Sequence, residues 1–366
     1  MRLGITVVIC TFNGAALLPP TLRHIAGQQV RPGIDWELLV VNNASTDNTA
    51  AVVKTEWNLA GKPVPLTLLH QPKLGLTYAR ELALEKARYE FIIFCDDDNW
   101  LAPDYLNRAY DLMLHNPLIG VLGGCGELIF EVPPPQWAVG HNLFANGPQS
   151  LRPGKVKHHV VYGAGCVVRK SSYKILVNSG FKSMLTDRKG KTLCAGGDYE
   201  LCYAIALAGY DIWYDNSLRF KHFVPKERVQ WSYYARLFRD GAQSYQVLVP
   251  YRIRVNMHSK SMVAFHAKYL SILLSYVLKL LYLLLSGLMA RRASDEEKTI
   301  SLKLISLKSK ILSLKKYATM KENFIRIVAF EQANLAAIRR KKRAIRPFIK
   351  VWTKKIMPEV GNSSRM

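Results

Sequence analysis

Asp96, Asp97 and Asp98 follow one another at the end of an apolar run, Phe91-Ile-Ile-Phe-Cys95. Adjacent carboxylates repel, and a cation relieves the repulsion. The outer pair of an Asp-x-Asp step offers hard oxygens to Mg²⁺ or Mn²⁺, ions that take one or two carboxylates and complete their shell with substrate phosphates. Asp96 and Asp98 at a strand end therefore make a candidate metal–nucleotide site. A solvated acidic turn would explain the three Asp but not the strand before them. A second acidic group stands in Gly196-Gly-Asp-Tyr-Glu200, ahead of an apolar helical stretch over residues 201–208 that Gly209 closes. A carboxylate in the first turn of a helix gains from the macrodipole, which accounts for Asp198 structurally but not for the paired glycines.

The elements that must position these groups alternate. Short apolar strands are expected at residues 5–9, 36–41, 64–69, 89–95 and 119–122, with helices at 15–26, 47–58, 74–88 and 103–115 between them. Ser45 or Asp47 is available to cap the second helix. A βα alternation implies an α/β fold with a mostly parallel sheet flanked by helices, and ligands bind beyond the carboxyl ends of its strands. The loops at 11–13, 42–47 and 96–98 all fall on that edge. From residue 126 to 251 the pattern changes to Gly- and Pro-rich loops with short strands, and Pro133, Pro134 and Pro135 mark an excursion from the core.

Composition bounds the setting. A chain of 366 residues with 49% hydrophobic content supports a large core with an appendage. Six cysteines without a C-x-x-C pair, mostly inside apolar runs, suit buried thiols of a reducing compartment, and the first residues do not read as a signal peptide. A cytoplasmic location follows as the expectation. The net charge of +24 is uneven: residues 290–366 hold 20 Lys/Arg against 6 Asp/Glu, and residues 252–289 hold five basic residues and no acid. The partner of that basicity belongs to the C-terminal third.

Five segments, taken in order, resemble the family 2 glycosyltransferases of the GT-A (Rossmann-like) fold. They are Val7-Val-Ile-Cys-Thr-Phe-Asn13, Leu38-Leu-Val-Val-Asn-Asn-Ala-Ser-Thr-Asp-Asn-Thr49, Gly75-Leu-Thr-Tyr-Ala-Arg80, the three Asp, and Gly197-Asp-Tyr-Glu200. The resemblance spans about residues 1–225. It implies inverting transfer of a sugar from a nucleotide-sugar donor, UDP-linked by preference, to an acceptor hydroxyl. On that reading Asp96 and Asp98 hold a divalent metal, Mg or Mn, on the diphosphate. Asp198 is the general base and Glu200 its partner or weaker alternative. His222 is a further metal-ligand candidate. Thr11, Phe12, Asn13, Asn42, Asn43, Arg80, Asp96 and Asp97 line the nucleotide. Two departures stand out: the second loop carries Asn42 and Asn43 where the family usually has Asp, and Gly197 replaces a common Glu, for which Glu200 is the expected substitute.

The division expected is a catalytic domain over residues 1–251, nucleotide-binding to 125 and acceptor-binding beyond, followed by a basic, apolar, helical membrane-associating tail over 252–366. Residues 269–289 include twelve Leu, Ile or Val, long enough to span a bilayer. Ser271, Ser275, Lys279, Tyr282 and Ser286 share one face, however, and a single span would export a basic tail. An amphipathic helix lying in the interface is the expectation, with Arg339 to Arg343 reading as a cluster for anionic lipid headgroups. Nucleic acid is not expected as a partner, because interleaved aromatics and a binding module are missing. The whole reads as a membrane-associated enzyme of the cytoplasmic face that extends a lipid-linked or surface glycan. Its alternatives are a nucleotidyltransferase and an inactive nucleotide-binding scaffold.

Overall fold

The computed structural model describes residues 2–139, 141, 143–190, 192–257, 259–288 and 294–333. Strand β1 (Arg2–Thr11) buries every side chain from Ile5 to Ile9, so it must be covered on both faces. The two-residue period of a strand sorts them. Ile5, Val7 and Ile9 pack with Leu18 and Leu22 of α1 (Leu18–Ala26) and Trp57 of α2 (Thr49–Leu59), while Val8 packs with Ala79 and Ala83 of α3 (Leu76–Lys86). Each such side chain contributes about 1.5–3 kcal/mol on burial, which pins β1 at the sheet centre.

β1 lies between β2 (Trp36–Asn42) and β4 (Tyr89–Phe94), with β3 (Leu66–His70) outside β2, and all three pairings are parallel. In register, Thr11 stands opposite Asn42 and Val8 opposite Phe94, so Asp97 arrives level with Thr11. The remaining strands are β5 (Asn99–Leu101), β6 (Ile119–Phe130), β7 (Gly154–Lys155), β8 (Val167–Arg169) and β9 (Asp211–Val224). Sheet order is β3-β2-β1-β4-β8-β6-β9-β5, with β7 on β9. The sheet becomes mixed beyond β4, because β8 enters antiparallel between β4 and β6. The long β9 then pairs parallel with β6 and antiparallel with β5, placing His222 opposite Asn99.

Helices α4 (Tyr105–His115), α5 (Lys170–Asn178) and α6 (Gly197–Leu207) complete the two covering layers. The chain continues through α7 (Trp231–Gly241), α8 (Tyr245–Met257), α9 (Met262–Leu288), α10 (Ser294–Leu314) and a helix over residues 317–333. The position 251/252 falls inside α8, and that helix serves two cores. Val247, Tyr251 and Val255 join the sheet layer, whereas Val249 and Ile253 join Phe265, Tyr269 and Phe324 of the tail helices. A buried ion pair, Arg254 Nε to Glu331 Oε2 at 2.8 Å, ties the same helices together. α9 buries Phe265, Tyr269 and Ile272 and exposes Leu270, Leu274, Leu278, Leu281 and Leu285 on another side. The basic cluster at 339–343 lies outside the described residues.

Candidate active site

Beyond the carboxyl ends of β1 and β4 opens a cavity of about 1060 Å³. Thr11, Phe12, Asn13, Asp96, Asp97 and Asp98 line one wall. The three Asp are not equivalent. Asp97 accepts from Thr11 Oγ1 at 2.6 Å, and its backbone carbonyl accepts from Thr21 Oγ1 at 2.7 Å, so it anchors the turn to β1 and α1. Asp98 accepts from Asn99 Nδ2 at 2.9 Å and from Arg228 Nη1 at 2.5 Å, with His222 Nε2 at 3.6 Å from the same Oδ2. Asp96 lines the cavity, and its backbone N–H donates to Asn99 Oδ1 at 3.2 Å.

Burial raises the carboxyls here, and their neighbours then separate them. Burial and the Asp98 charge push Asp97 up to about 7. Burial acts on Asp98 as well, but His222 and Arg228 override it and hold that carboxyl far below the usual range. Asp96 is raised by burial and Asp98, against Arg80 and His222. Cys10, also in the lining, is pushed up to about 12 by burial and is therefore no thiolate nucleophile at neutral pH.

The opposite wall is built where α3 and α6 meet. Asp198 Oδ2 accepts from the backbone N–H of Gly163 at 2.7 Å, and Oδ1 from that of Tyr199 at 2.9 Å. Arg80 donates through Nη1 to Asp187 Oδ2 at 3.0 Å, and both side chains are nearly buried. The guanidinium stays charged: burial opposes it, but Asp187, Asp198 and Asp96 together raise its pKa. Asp187 is pushed up to about 6 by burial against the pull of Arg80. Two positions without side chains leave these groups room to pack closely. A Cβ on Gly163 would come within 2.8 Å of Arg80 Nη2 and 3.2 Å of Asp198 Cβ, and one on Gly197 within 2.9 Å of Asp187 Oδ2.

Of the residues singled out from sequence, Thr11, Phe12, Asn13, Asn43, Arg80, Asp96, Asp97, Asp98, Asp198 and His222 share this cavity. Glu200 and Asn42 are not in its lining. Glu200 is buried and accepts from the backbone N–H groups of Met184 at 2.8 Å and Leu185 at 3.0 Å, holding the segment that carries Asp187. Two residues along a helix point about 200° apart, so Glu200 could not share the face of Asp198. The acid beside Gly197 is Asp187 instead. Asn42 Oδ1 accepts from the Ser45 N–H at 3.0 Å, and Asn43 spends its amide on Gln71 O, Lys73 O and the Gly75 N–H. Sequence reasoning missed Asp187 and Arg228. Their signals were faint: Asp187 is the sole acid of the basic loop 183–196, and Arg228 follows His222 by six residues.

Comparison with known proteins agrees with this architecture. Residues 6–176 match the family model described as Glycosyl transferase family 2. The matched stretch, a little under half of the chain, is similar to that family. The succinoglycan biosynthesis protein ExoM of Rhizobium meliloti is 24% identical over 240 residues, covering 65% of this chain and 73% of that protein. EpsH of Bacillus subtilis is 26% identical over 105 residues, and the alignment spans 29% of its length; a Haemophilus influenzae glycosyltransferase is spanned over 44%. The chain thus spans less than half of those two relatives. Among solved structures, a mannosyltransferase from Pyrobaculum calidifontis in complex with GDP-Man and Mn²⁺ superposes with a TM-score of 0.53 at 18% identity, covering 92% of this chain and 88% of that one. That likeness shows a shared GT-A fold.

Proposed function

We propose that the chain transfers a sugar, with inversion, from a nucleotide-sugar to a hydroxyl of a lipid-linked or surface glycan. The observation that carries this is the pairing of two walls across one cavity: strand-end carboxylates at Asp96 and Asp98, and Asp198 fixed by the Gly163 N–H. In the transfer, an acceptor oxygen bonds to the anomeric carbon as the bond from that carbon to the diphosphate breaks. The hydroxyl proton passes to Asp198, whose bond to the Gly163 N–H keeps the carboxylate turned into the cavity. Thr11, Phe12 and Asn13 lie along the nucleoside, with UDP the favoured nucleotide. Arg80 lines the same cavity and is charged whether or not substrate is present.

A divalent ion, Mg²⁺ or Mn²⁺, is implied on the diphosphate. No cluster of three His, Cys, Asp or Glu suited to a metal occurs among the described residues. Two hard carboxylates still suffice, since these ions draw further ligands from substrate phosphates and water. Asp96 and Asp98 would hold it, with His222, whose buried Nδ1 lacks a partner, at its margin. When bound, it would offset the charge that develops on the leaving diphosphate.

The apolar row on α9 supports a membrane-surface location. The helix carries a 24-residue stretch, Met262–Leu285, apolar and long enough to cross a bilayer. We read residues 252–366 as the attaching region of a catalytic domain over 1–251, lying on the cytoplasmic face against anionic lipid. The decisive experiment offers UDP-, GDP- and dTDP-sugars with Mn²⁺ and a lipid-linked acceptor, following nucleoside diphosphate release. Release that needs the acceptor and disappears in Asp198→Asn supports the reading. Pyrophosphate release instead would assign a nucleotidyltransferase, and no release with stable folding a binding scaffold.

A further inference from the structure

A carboxylate as buried as Asp98 needs a compensating charge, and a fixed protein cation already supplies it. Arg228 sits in the short 3₁₀ turn Lys226–Val229 that links β9 to α7. Two bonds hold that turn: the Arg228 N–H to Pro225 O at 2.9 Å, and the Lys226 N–H to Glu131 Oε2 at 2.9 Å. From there the guanidinium reaches the same Asp98 oxygen that lies 3.6 Å from His222 Nε2. The other Asp98 oxygen takes Asn99 Nδ2. Both carboxylate oxygens are therefore engaged, one of them by a full positive charge, and the arginine itself borders the cavity.

We infer that Arg228 is the resident counter-ion of Asp98, which keeps a divalent cation off that carboxylate until a nucleoside diphosphate draws the guanidinium away. This rests on the reading that the cavity takes a nucleotide-sugar with a metal. A dication placed on Asp98 beside Arg228 would face a like charge across a nearly buried carboxylate, where screening is weak. A diphosphate removes that conflict, because it offers the planar guanidinium fork a partner of higher charge and matching geometry. Metal and nucleotide then enter as a unit, and Arg228 ends on the leaving group rather than on the protein carboxylate. Any nucleoside diphosphate meets this requirement, so the device is independent of which sugar is carried.

The test measures Mn²⁺ binding, not turnover, on the full chain by calorimetry and by the signal of free Mn²⁺ in paramagnetic resonance. Wild type should bind Mn²⁺ weakly alone and more tightly with UDP or GDP present. Arg228→Met should bind Mn²⁺ without nucleotide at least about tenfold more tightly than wild type, since a like charge has gone. Arg228→Gln repeats the neutralisation with a side chain that can still donate to Asp98, should the Met variant fold poorly. Arg228→Lys, which keeps the charge, should stay near wild type. Adding Asp98→Asn to Arg228→Met should abolish the gain and so place the ion at Asp98. If wild type binds Mn²⁺ with nucleotide while the neutral variants bind Mn²⁺ alone no better than wild type, the counter-ion role is overturned and the metal reading stands. If no protein binds Mn²⁺ even with nucleotide, both fall.

Discussion

Glu200 ties the acidity of one buried group to the stability of the site. Its carboxylate is 1% exposed, and burial lifts it from 4.5 to about 7 even though it accepts two backbone N–H bonds. A carboxyl whose pKa is raised on folding binds its proton more tightly in the native state. The stability this confers is complete below about pH 4.5 and is lost as pH rises through about 7. The full difference corresponds to about 3 kcal/mol, of which about 2.5 disappears between pH 5 and 8. An unfolding entropy of roughly 2.1 cal/mol/K per residue over 366 residues converts that to a fall of about 3 °C in Tm. Asp97 and Asp187 move in the same direction, so the perturbation must isolate Glu200. Glu200→Gln does so: the amide cannot ionise, and its oxygen can still accept one N–H. The mismatched second N–H costs about 1–3 kcal/mol at every pH. Thermal melts of both proteins at several pH values should therefore show curves that converge as pH rises, by about 3 °C between pH 5 and 8. Parallel curves would refute the raised pKa of Glu200.

Three further outcomes are expected. Asp198→Asn should lower kcat by about 10²–10⁴ while leaving nucleotide-induced thermal shifts intact, because the amide oxygen still accepts from Gly163; loss of the thermal shift as well would point to a folding defect. Gly163→Ala should cut kcat/KM by at least about tenfold, since its Cβ would press within 2.8 Å of Arg80 Nη2 and 3.2 Å of Asp198 Cβ, and sub-ångström misplacement is costly in catalysis. Replacing Leu270, Leu274 and Leu278 together by Ser exposes no buried side chain of the core, so circular dichroism should be unchanged while flotation with anionic vesicles drops severalfold; unchanged flotation would remove α9 from the membrane contact.

The N-terminal part of the sheet was legible because β1, β2 and β4 are buried on both faces and the helices between them carry a matching period. Residues 5–9, 36–41 and 89–95 are short apolar runs between helical periods, which favours central strands, and parallel pairing then brings their loops to one edge. The insertion of β8 between β4 and β6 was not legible. β8 is only three residues long, and period-two patterning fixes which face a residue takes but not which neighbour its strand chooses. The 14-residue β9 was hidden in the same way, since it is half exposed and changes partners along its length.

The site residues divide along the same line. Asp96, Asp98 and Asp198 were found because each sits at the end of a regular element, where local pattern fixes position. Arg228 and Asp187 come from irregular turns, and only tertiary contacts bring them in: β9 carries Arg228 across the sheet to Asp98, and Glu200 with Thr77 holds the loop of Asp187 against α3. The missing side chain at Gly197 is then explained by packing. Asp187 Oδ2 lies 2.9 Å from where a Cβ there would be, so an acidic side chain from a different segment of chain crowds that position. A carboxylate on that loop, unlike one fixed on α6, is held through the two backbone N–H bonds that Glu200 accepts from Met184 and Leu185. A residue outside the cavity thus anchors the segment that carries the partner of Arg80.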